Sequence, residues 1–450
     1  MKQKIFLIIF ICFNVQSISA QTDTLKLKLD FPFFDFPYQN DAKKTVGKGF
    51  FSGYANPSME QSLAISTNVY SAFHYGINGF SKKNKWLGAI GIAAGDFLLT
   101  YCPGGEGWLH EEYHRAVMTR FGVNSFNGMN TFPIGKEIVS VNKVRDEGLV
   151  RMKAKSGPDF IRMSVAGIEG QYLLIDHLQR NNFFYQQNLP HEIQYWLSAV
   201  NSIMYVISSS NAKTADTHID ELNSKELSMS ERDFTGFDMT SWAYDLFNPD
   251  EPYEDRGTHP SGTGIDRYRK TTHLESHELK YLKRRGIWQW ANILSPMMLG
   301  VRSIDLGPNG LKGNFAFRHN LTSFGTDMSL SVLLKNSDFN RVFTYHNYRN
   351  YKHFFPAIES ERLDYPVSIG NNIKMFLSYR LMVGIQPKEQ SFTTSKCDFF
   401  GLIGGRADFR INDTFYPYLE LSSKTEGWVA GNEFLNDNTN IRAGLSLRIY

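Results

Sequence analysis

His110, Glu111 and His114 are the residues of this 450-residue chain whose types and spacing most directly describe chemistry. On an α-helix, positions i and i+4 stand one turn apart on the same face. The two imidazoles then lie side by side, close enough to share one divalent ion. Glu111 falls beside that ion, where a carboxylate can take a proton from water. The run from about Trp108 to Phe121 supplies the helix this needs. Leu109, Tyr113, Ala116, Val117 and Phe121 give it an apolar side. Arg120 meets the negative end of the helix dipole, and Gly122 is placed to stop the helix.

The five residues from His110 to His114 resemble the HExxH signature of the zincin metallopeptidases. The resemblance covers this motif and a third ligand, not the whole chain. It implies zinc held by His110 and His114, Glu111 as general base, and one further protein ligand. In the gluzincins that ligand is a glutamate on a following helix, and Glu169 is expected to fill the role. It sits in a largely apolar helical run, Phe160 to Leu178, between Gly167 and Gly170. Glycine costs a helix about 1 kcal/mol against alanine, so two beside an acid suggest close approach of a second backbone. His177 competes as third ligand, and Asp176 is placed to orient a ligand histidine. The other reading of Glu169 is a hydrogen-bonded carboxylate at a helix crossing. Ala166 to Gln171 is also similar to the Ala-Gly-rich helix of site-2-type intramembrane metalloproteases, whose third ligand is a later aspartate. Their spans are longer and more apolar.

Zincin catalysis also needs a donor for the oxyanion formed when water attacks a carbonyl. Arg256, His259 and Tyr268 are candidates, in a turn-rich, charged stretch from Asn248 to Tyr268 that otherwise reads as a solvated loop. Asp250, Glu251, Glu254 and Asp255 lie there too, without the EF-hand spacing for calcium.

The N-terminus reads as an export signal. Lys2 and Lys4 precede the apolar run Ile5 to Cys12, and Ser17 to Ala20 supplies small residues for cleavage. The expected destination is the cell envelope, with the outer membrane favoured. Lys and Arg total 48 against 45 acids, so no bulk charge points to nucleic acid. Beyond the leader only Cys102 and Cys397 remain; pairing and free thiols are both open.

The segments sort into a leader (1–20), an extended lead-in (21–55), a helical metallopeptidase-like domain (56–300) and an antiparallel β domain (301–450). Phe31-Pro32 and Phe36-Pro37 keep the lead-in out of helix. Ser62 to Tyr75 and Trp86 to Tyr101 read as helices. Leu87 to Leu99 is nearly uncharged but too short to cross a bilayer, so a buried core helix is expected. Tyr195 to Ser208 and Phe237 to Phe247 read as further helices, Ser209 to Ser230 as an exposed connection. Leu274 to Leu299 is a last helical run, passing from basic residues to Trp288 and Trp290.

After about Gly300 apolar and polar residues alternate by two, as in Met328, Leu330, Val332 and Leu334, or Ile441, Ala443, Leu445, Leu447 and Ile449. Some seven or eight strands are expected. Their length and the closing aromatic, Tyr450, resemble bacterial outer-membrane barrels, implying a small barrel of about eight strands. A soluble antiparallel sheet packed on the helical domain fits the same alternation. The fold class is therefore α+β, and the expected function is an envelope zinc metallopeptidase-like hydrolase acting on a peptide or protein, anchored in the membrane by its β domain. The competing expectation is a non-enzymatic outer-membrane protein whose helical domain binds another envelope component. No Gly-x-Ser-x-Gly elbow supports a serine esterase.

Overall fold

The computed structural model describes residues 25–46, 55–81, 85–131, 140–307, 310–337, 339–369 and 373–450. The leader lies outside them. The fold is α+β. Among the described residues the helices are α1 (Tyr38–Val46), α2 (Met59–Ser81), α3 (Lys85–Thr100), α4 (Glu106–Arg120), α5 (Asp146–Lys155), α6 (Gly157–Phe184), α7 (Glu192–Ser208), α8 (Ala212–Lys225), α9 (Asp238–Phe247) and α10 (Ser276–Trp288). The strands are β1 (Leu27–Phe36), the short pair β2 (Phe126–Asn127) and β3 (Val141–Asn142), β4 (Ile304–Asp305), β5 (Lys312–Thr322), β6 (Gly325–Lys335), β7 (Asn340–Arg349), β8 (Phe354–Ile369), β9 (Ile373–Pro387), β10 (Cys397–Phe409), β11 (Phe415–Lys424) and β12 (Asn438–Ile449). Cys102 and Cys397 are free thiols.

Ten strands form one antiparallel meander in the order β1-β12-β11-β10-β9-β8-β7-β6-β5-β4. Of the eight long strands after Gly300, all but β8 carry the period-two alternation in their sequence. The lead-in is not a separate segment: β1 pairs with β12, Leu27 opposite Ile449 and Phe36 opposite Ile441, and α1 follows. Ser209 to Ser230, read as a connection, contains helix α8.

The sheet does not close into a barrel, which corrects that expectation. Helical-side groups seal its two edges instead. On β1 the Asn68 side chain, from α2, accepts from the Asp30 N–H at 3.0 Å and donates to the Asp30 carbonyl at 2.7 Å. Gln61 donates to the Pro32 carbonyl. On β5, Asn292 accepts from the His319 N–H at 2.9 Å and donates to its carbonyl at 3.2 Å. The Phe317 N–H donates to the Leu294 carbonyl. Asn68 beside β1, and Asn292 beside the length of β5 that the two-residue β4 leaves unpaired, thus stand in for a neighbour strand at these residues, satisfying groups that would otherwise be an open template for pairing.

The polarity of the sheet is inverted relative to a soluble one. Its concave face wraps the C-terminal half of α6 and holds charges in pairs. Arg180 meets Glu361 at 2.8 Å, Arg448 meets Asp364 at 2.9 Å, and His346 sits between Asp327 and Glu359. The flanking apolar residues of the same strands point outward: Ile358 is 60% and Ile403 55% exposed, against 3% for Arg448 and 1% for Asp408. The α3 expectation is overturned in the same sense. Trp86 is 80% and Leu98 64% exposed, so α3 is a surface helix with an apolar outer side.

Removing the edge seal by Asn68→Ala leaves an N–H and a carbonyl of β1 without partners. The expected loss is about 2–3 kcal/mol of unfolding free energy, read by urea denaturation of the full chain. No change in midpoint would mean that the edge is not held by this side chain.

Candidate metal centre

Helix α4 carries the two histidines with their ring centroids 4.8 Å apart. Hydrogen bonds on the far nitrogens fix both rings. His114 Nδ1 is 2.5 Å from the Met163 carbonyl, which can only accept, so Nδ1 carries the proton. His110 Nδ1 lies 3.2 Å from Gln171 Oε1, which also accepts from Ser202 at 2.8 Å. The Gln171 amide nitrogen donates in turn to Glu106. With Nδ1 of each ring turned to an acceptor, both Nε2 atoms face inward toward Asp238, the orientation that outer partners impose on metal-ligating histidines.

The third donor is Asp238, at the start of α9. Its Oδ2 is 3.3 Å from His110 Nε2 and 3.4 Å from His114 Nε2. Ligand atoms about 2.0–2.1 Å from a tetrahedral zinc lie about 3.3–3.4 Å apart, so the two Asp238 separations match edges of a zinc tetrahedron, and the three donor atoms together lie within 4.8 Å of one another. The Tyr205 hydroxyl, from α7, donates to the same Asp238 oxygen at 2.9 Å, and the Asp238 N–H donates back to Tyr205 at 3.2 Å. His114 Nε2 is buried with no hydrogen-bond donor. Burial disfavours charge on Asp238, yet the His114 and His110 imidazoles outweigh it and hold its carboxyl well below the usual range. The three donors form a group that could hold a metal ion, and two imidazoles with one carboxylate are a donor set that zinc accepts.

Gly167 is what leaves room there. A Cβ at this position of α6 would collide with Nε2 of both imidazoles, 2.5 Å from that of His114 and no farther from that of His110. Gly170, one turn on, faces the Tyr113 ring, where a Cβ would stand 2.9 Å away. The two glycines therefore mark close approach of a second helix to the histidine helix.

Glu169 is not part of the centre, which corrects the expected ligand set. Two residues beyond Gly167 on an α-helix is about 200° round the axis, so Glu169 faces the other side. Its carboxylate pairs with Arg162 at 2.9 Å and accepts from the Gly431 N–H at 2.7 Å, fastening the β11–β12 loop to α6. His177 and Asp176 are not there either: Asp176 pairs with Arg180 and faces Arg318 at 3.6 Å, toward the sheet. The proposed oxyanion donors are committed elsewhere. Arg256 pairs with Asp245, the Tyr268 hydroxyl donates to Glu226, and His259 Nδ1 bonds within its own turn to Ser261. Among the described residues none of the three bonds to His110, His114 or Asp238. Glu251 accepts from Tyr244, and no cation cluster forms around the acids at 250–255 among the described residues.

Glu111 is buried, and its carboxylate has no hydrogen-bond partner among the described residues. Burial pushes its carboxyl up to about 7; the nearby His110 opposes this, and Asp238 and Glu112 add to it. Glu112 does not share this freedom, because Arg115 holds both of its oxygens at 2.6 Å. Asp233 is a further buried carboxyl near the centre, raised by burial and then by the Asp238 and Glu111 charges. Sequence reasoning missed Asp238, Tyr205 and Asp233. The available signal was an acid in the first turn of a short helix, following Phe234-Thr235-Gly236-Phe237.

No protein-family model, curated protein or solved structure matches the chain.

Two substitutions separate the centre from its surroundings. Gly167→Ala places a methyl among the donors and is expected to abolish stoichiometric zinc while leaving the helix content intact. Glu169→Gln breaks a buried ion pair and is expected to cost about 3–5 kcal/mol of stability with zinc retained in the folded protein. Plasma emission spectrometry with circular dichroism reads both; zinc lost from folded Glu169→Gln and kept by Gly167→Ala would reverse the assignment.

Proposed function

We propose that this chain is an exported zinc-dependent hydrolase of the metallopeptidase type, with His110, His114 and Asp238 as ligands and Glu111 as general base. The observation that supports the reading is the convergence of two inward Nε2 atoms and Asp238 Oδ2 within 4.8 Å of one another, beside the buried Glu111 carboxylate, which has no hydrogen-bond partner among the described residues. A zinc ion bound there would act as a Lewis acid on a carbonyl and on water.

The chain's own residues divide the remaining work. Gln171 and the Met163 carbonyl hold the imidazoles in one tautomer and one orientation. Tyr205 holds Asp238 by a bond in each direction, fixing the carboxylate without neutralising it. Glu111, desolvated and poised near neutrality, accepts the proton of an attacking water and returns it to the leaving amine. Burial keeps competing water away from these groups, since His110 is the most exposed of the ligand side chains at 12%. Asp233 stands near enough to Glu111 and Asp238 for their charges to raise its own carboxyl.

Glu111→Gln keeps the shape of the site and removes the base. The expected result is unchanged zinc stoichiometry with peptide hydrolysis down by about 10²–10⁴-fold, measured on a quenched-fluorescence peptide library. Full activity in Glu111→Gln, or a purified wild-type protein that binds no zinc, would remove the reading and leave a non-enzymatic envelope protein as the alternative.

A further inference from the structure

The exposed apolar surface is not a patch but a circuit. The concave sheet runs from β5 round to β1. From β1 the wall continues through α2, which packs along that strand, then α3 against α2, α7 against α3, and the 3-10 segments at Gln289–Ile293 and Pro296–Leu299 back to β5. Every sector of this wall except the α2 seam turns large apolar side chains outward. Ile358 and Ile403 do so from the sheet, Leu87 and Leu98 from α3, Met204 from α7 and Leu299 from the last 3-10 segment. The exposed charged residues on the long strands, Arg349, Lys374 and Asp398, stand at strand ends. An apolar cleft of about 630 Å³ between α3 and α7, with Trp196 and Val200 in its wall, opens in the same surface.

We propose that the hydrocarbon of a lipid bilayer surrounds this wall, so that helices α3 and α7 are immersed together with the sheet. A protein partner covers one side of a molecule; a belt that continues from sheet to helices round the circumference calls for a surrounding apolar solvent. The interior fits the same reading. Charged and polar side chains face inward and pair with each other, as they must where no water reaches the outer face. Side-chain amides take up backbone groups at the sheet margins, Asn68 those of Asp30 on β1 and Asn292 those of His319 on β5, which lowers the number of groups that lipid would have to satisfy. The long strands run 10–16 residues, and a tilted strand crosses hydrocarbon in about 9–11. No described helix is long and apolar enough to cross a membrane by itself, so α3, at 16 residues, is held at depth by its neighbours. The metal centre, enclosed by α4, α6, α7 and α9 inside the wall, then lies within the protein at the level of the membrane.

The test uses the full exported chain with Cys102 and Cys397 replaced by serine, reconstituted in vesicles of phosphatidylethanolamine and phosphatidylglycerol. Spin labels are placed singly by Ile358→Cys and Ile403→Cys on the sheet, Leu98→Cys on α3, and Glu426→Cys on an exposed loop. The expected result is that oxygen relaxes the first three labels more than a water-soluble nickel chelate does, with the order reversed at position 426. Flotation of the unlabelled protein with the vesicles provides a second reading. Chelate access at Ile358, Ile403 and Leu98 equal to that at 426, or shielding of these labels from both relaxants as under a protein partner, would overturn the proposal. Oxygen preference on the sheet without it at Leu98 would overturn the immersion of the helices. None of these readings depends on zinc, so the outcome stands apart from that of the hydrolase reading.

Discussion

The crossing of α4 over α6 at Gly167 and Gly170 is the constraint on which the site depends. Two helices can approach this closely only where one of them lacks side chains. At Gly170 the space is taken by the Tyr113 ring, and at Gly167 it lies among the nitrogens of His110 and His114. The backbone of α6 then does a second task at the same crossing, because the Met163 carbonyl, one turn before Gly167, fixes the His114 ring. Gln171, one turn after it, fixes the His110 ring. One helix thus provides both the room and the orientation, and α7 and α9 bring Tyr205 and Asp238 to the side that remains open.

The same helix joins the site to the sheet. Beyond Gln171, α6 enters the concave face, where Asp176, Arg180 and the Phe183 carbonyl meet Arg318, Glu361 and Lys335. Glu169 and Arg162 hold the β11–β12 loop over the other end, and Arg120 of α4 donates to the Glu433 carbonyl of that loop at 2.8 Å. Buried ion pairs of this kind contribute little net stability but are costly to break singly, so they fix which parts sit together more than how tightly.

His110, Glu111 and His114 were legible in the sequence because their chemistry is local: one helix turn sets their spacing. Asp238 was not, since 128 residues separate it from His110 and nothing in its neighbourhood sets it apart from an ordinary first-turn acid. Glu169 drew attention for a sound reason, the two glycines beside it, but the glycines served the crossing and the acid faced away from it. Seven of the eight long strands followed from period-two alternation. β8 did not, because Pro356, Pro366 and the charged run Glu359-Ser360-Glu361-Arg362 hide the pattern; Glu359 and Glu361 are inward-facing partners of Arg380 and Arg180. The uncharged run in α3 read as core because apolar sequence reports a preference against water, not which apolar surroundings will meet it. Strand pairing at the two sheet edges was equally hidden, since the groups that replace it are single asparagines on distant helical segments.

Zinc binding at this centre depends on its three donors, His110, His114 and Asp238. X-ray absorption at the zinc edge on the zinc-loaded protein, compared with its Asp238→Ala variant, examines them directly. The prediction is one zinc per chain, two imidazole nitrogens and carboxylate oxygen in the first shell at about 2.0–2.2 Å, with the protein oxygen lost or replaced in the variant and zinc affinity reduced. A wild-type spectrum that fits without histidine, or an Asp238→Ala spectrum and affinity identical to wild type, would contradict it.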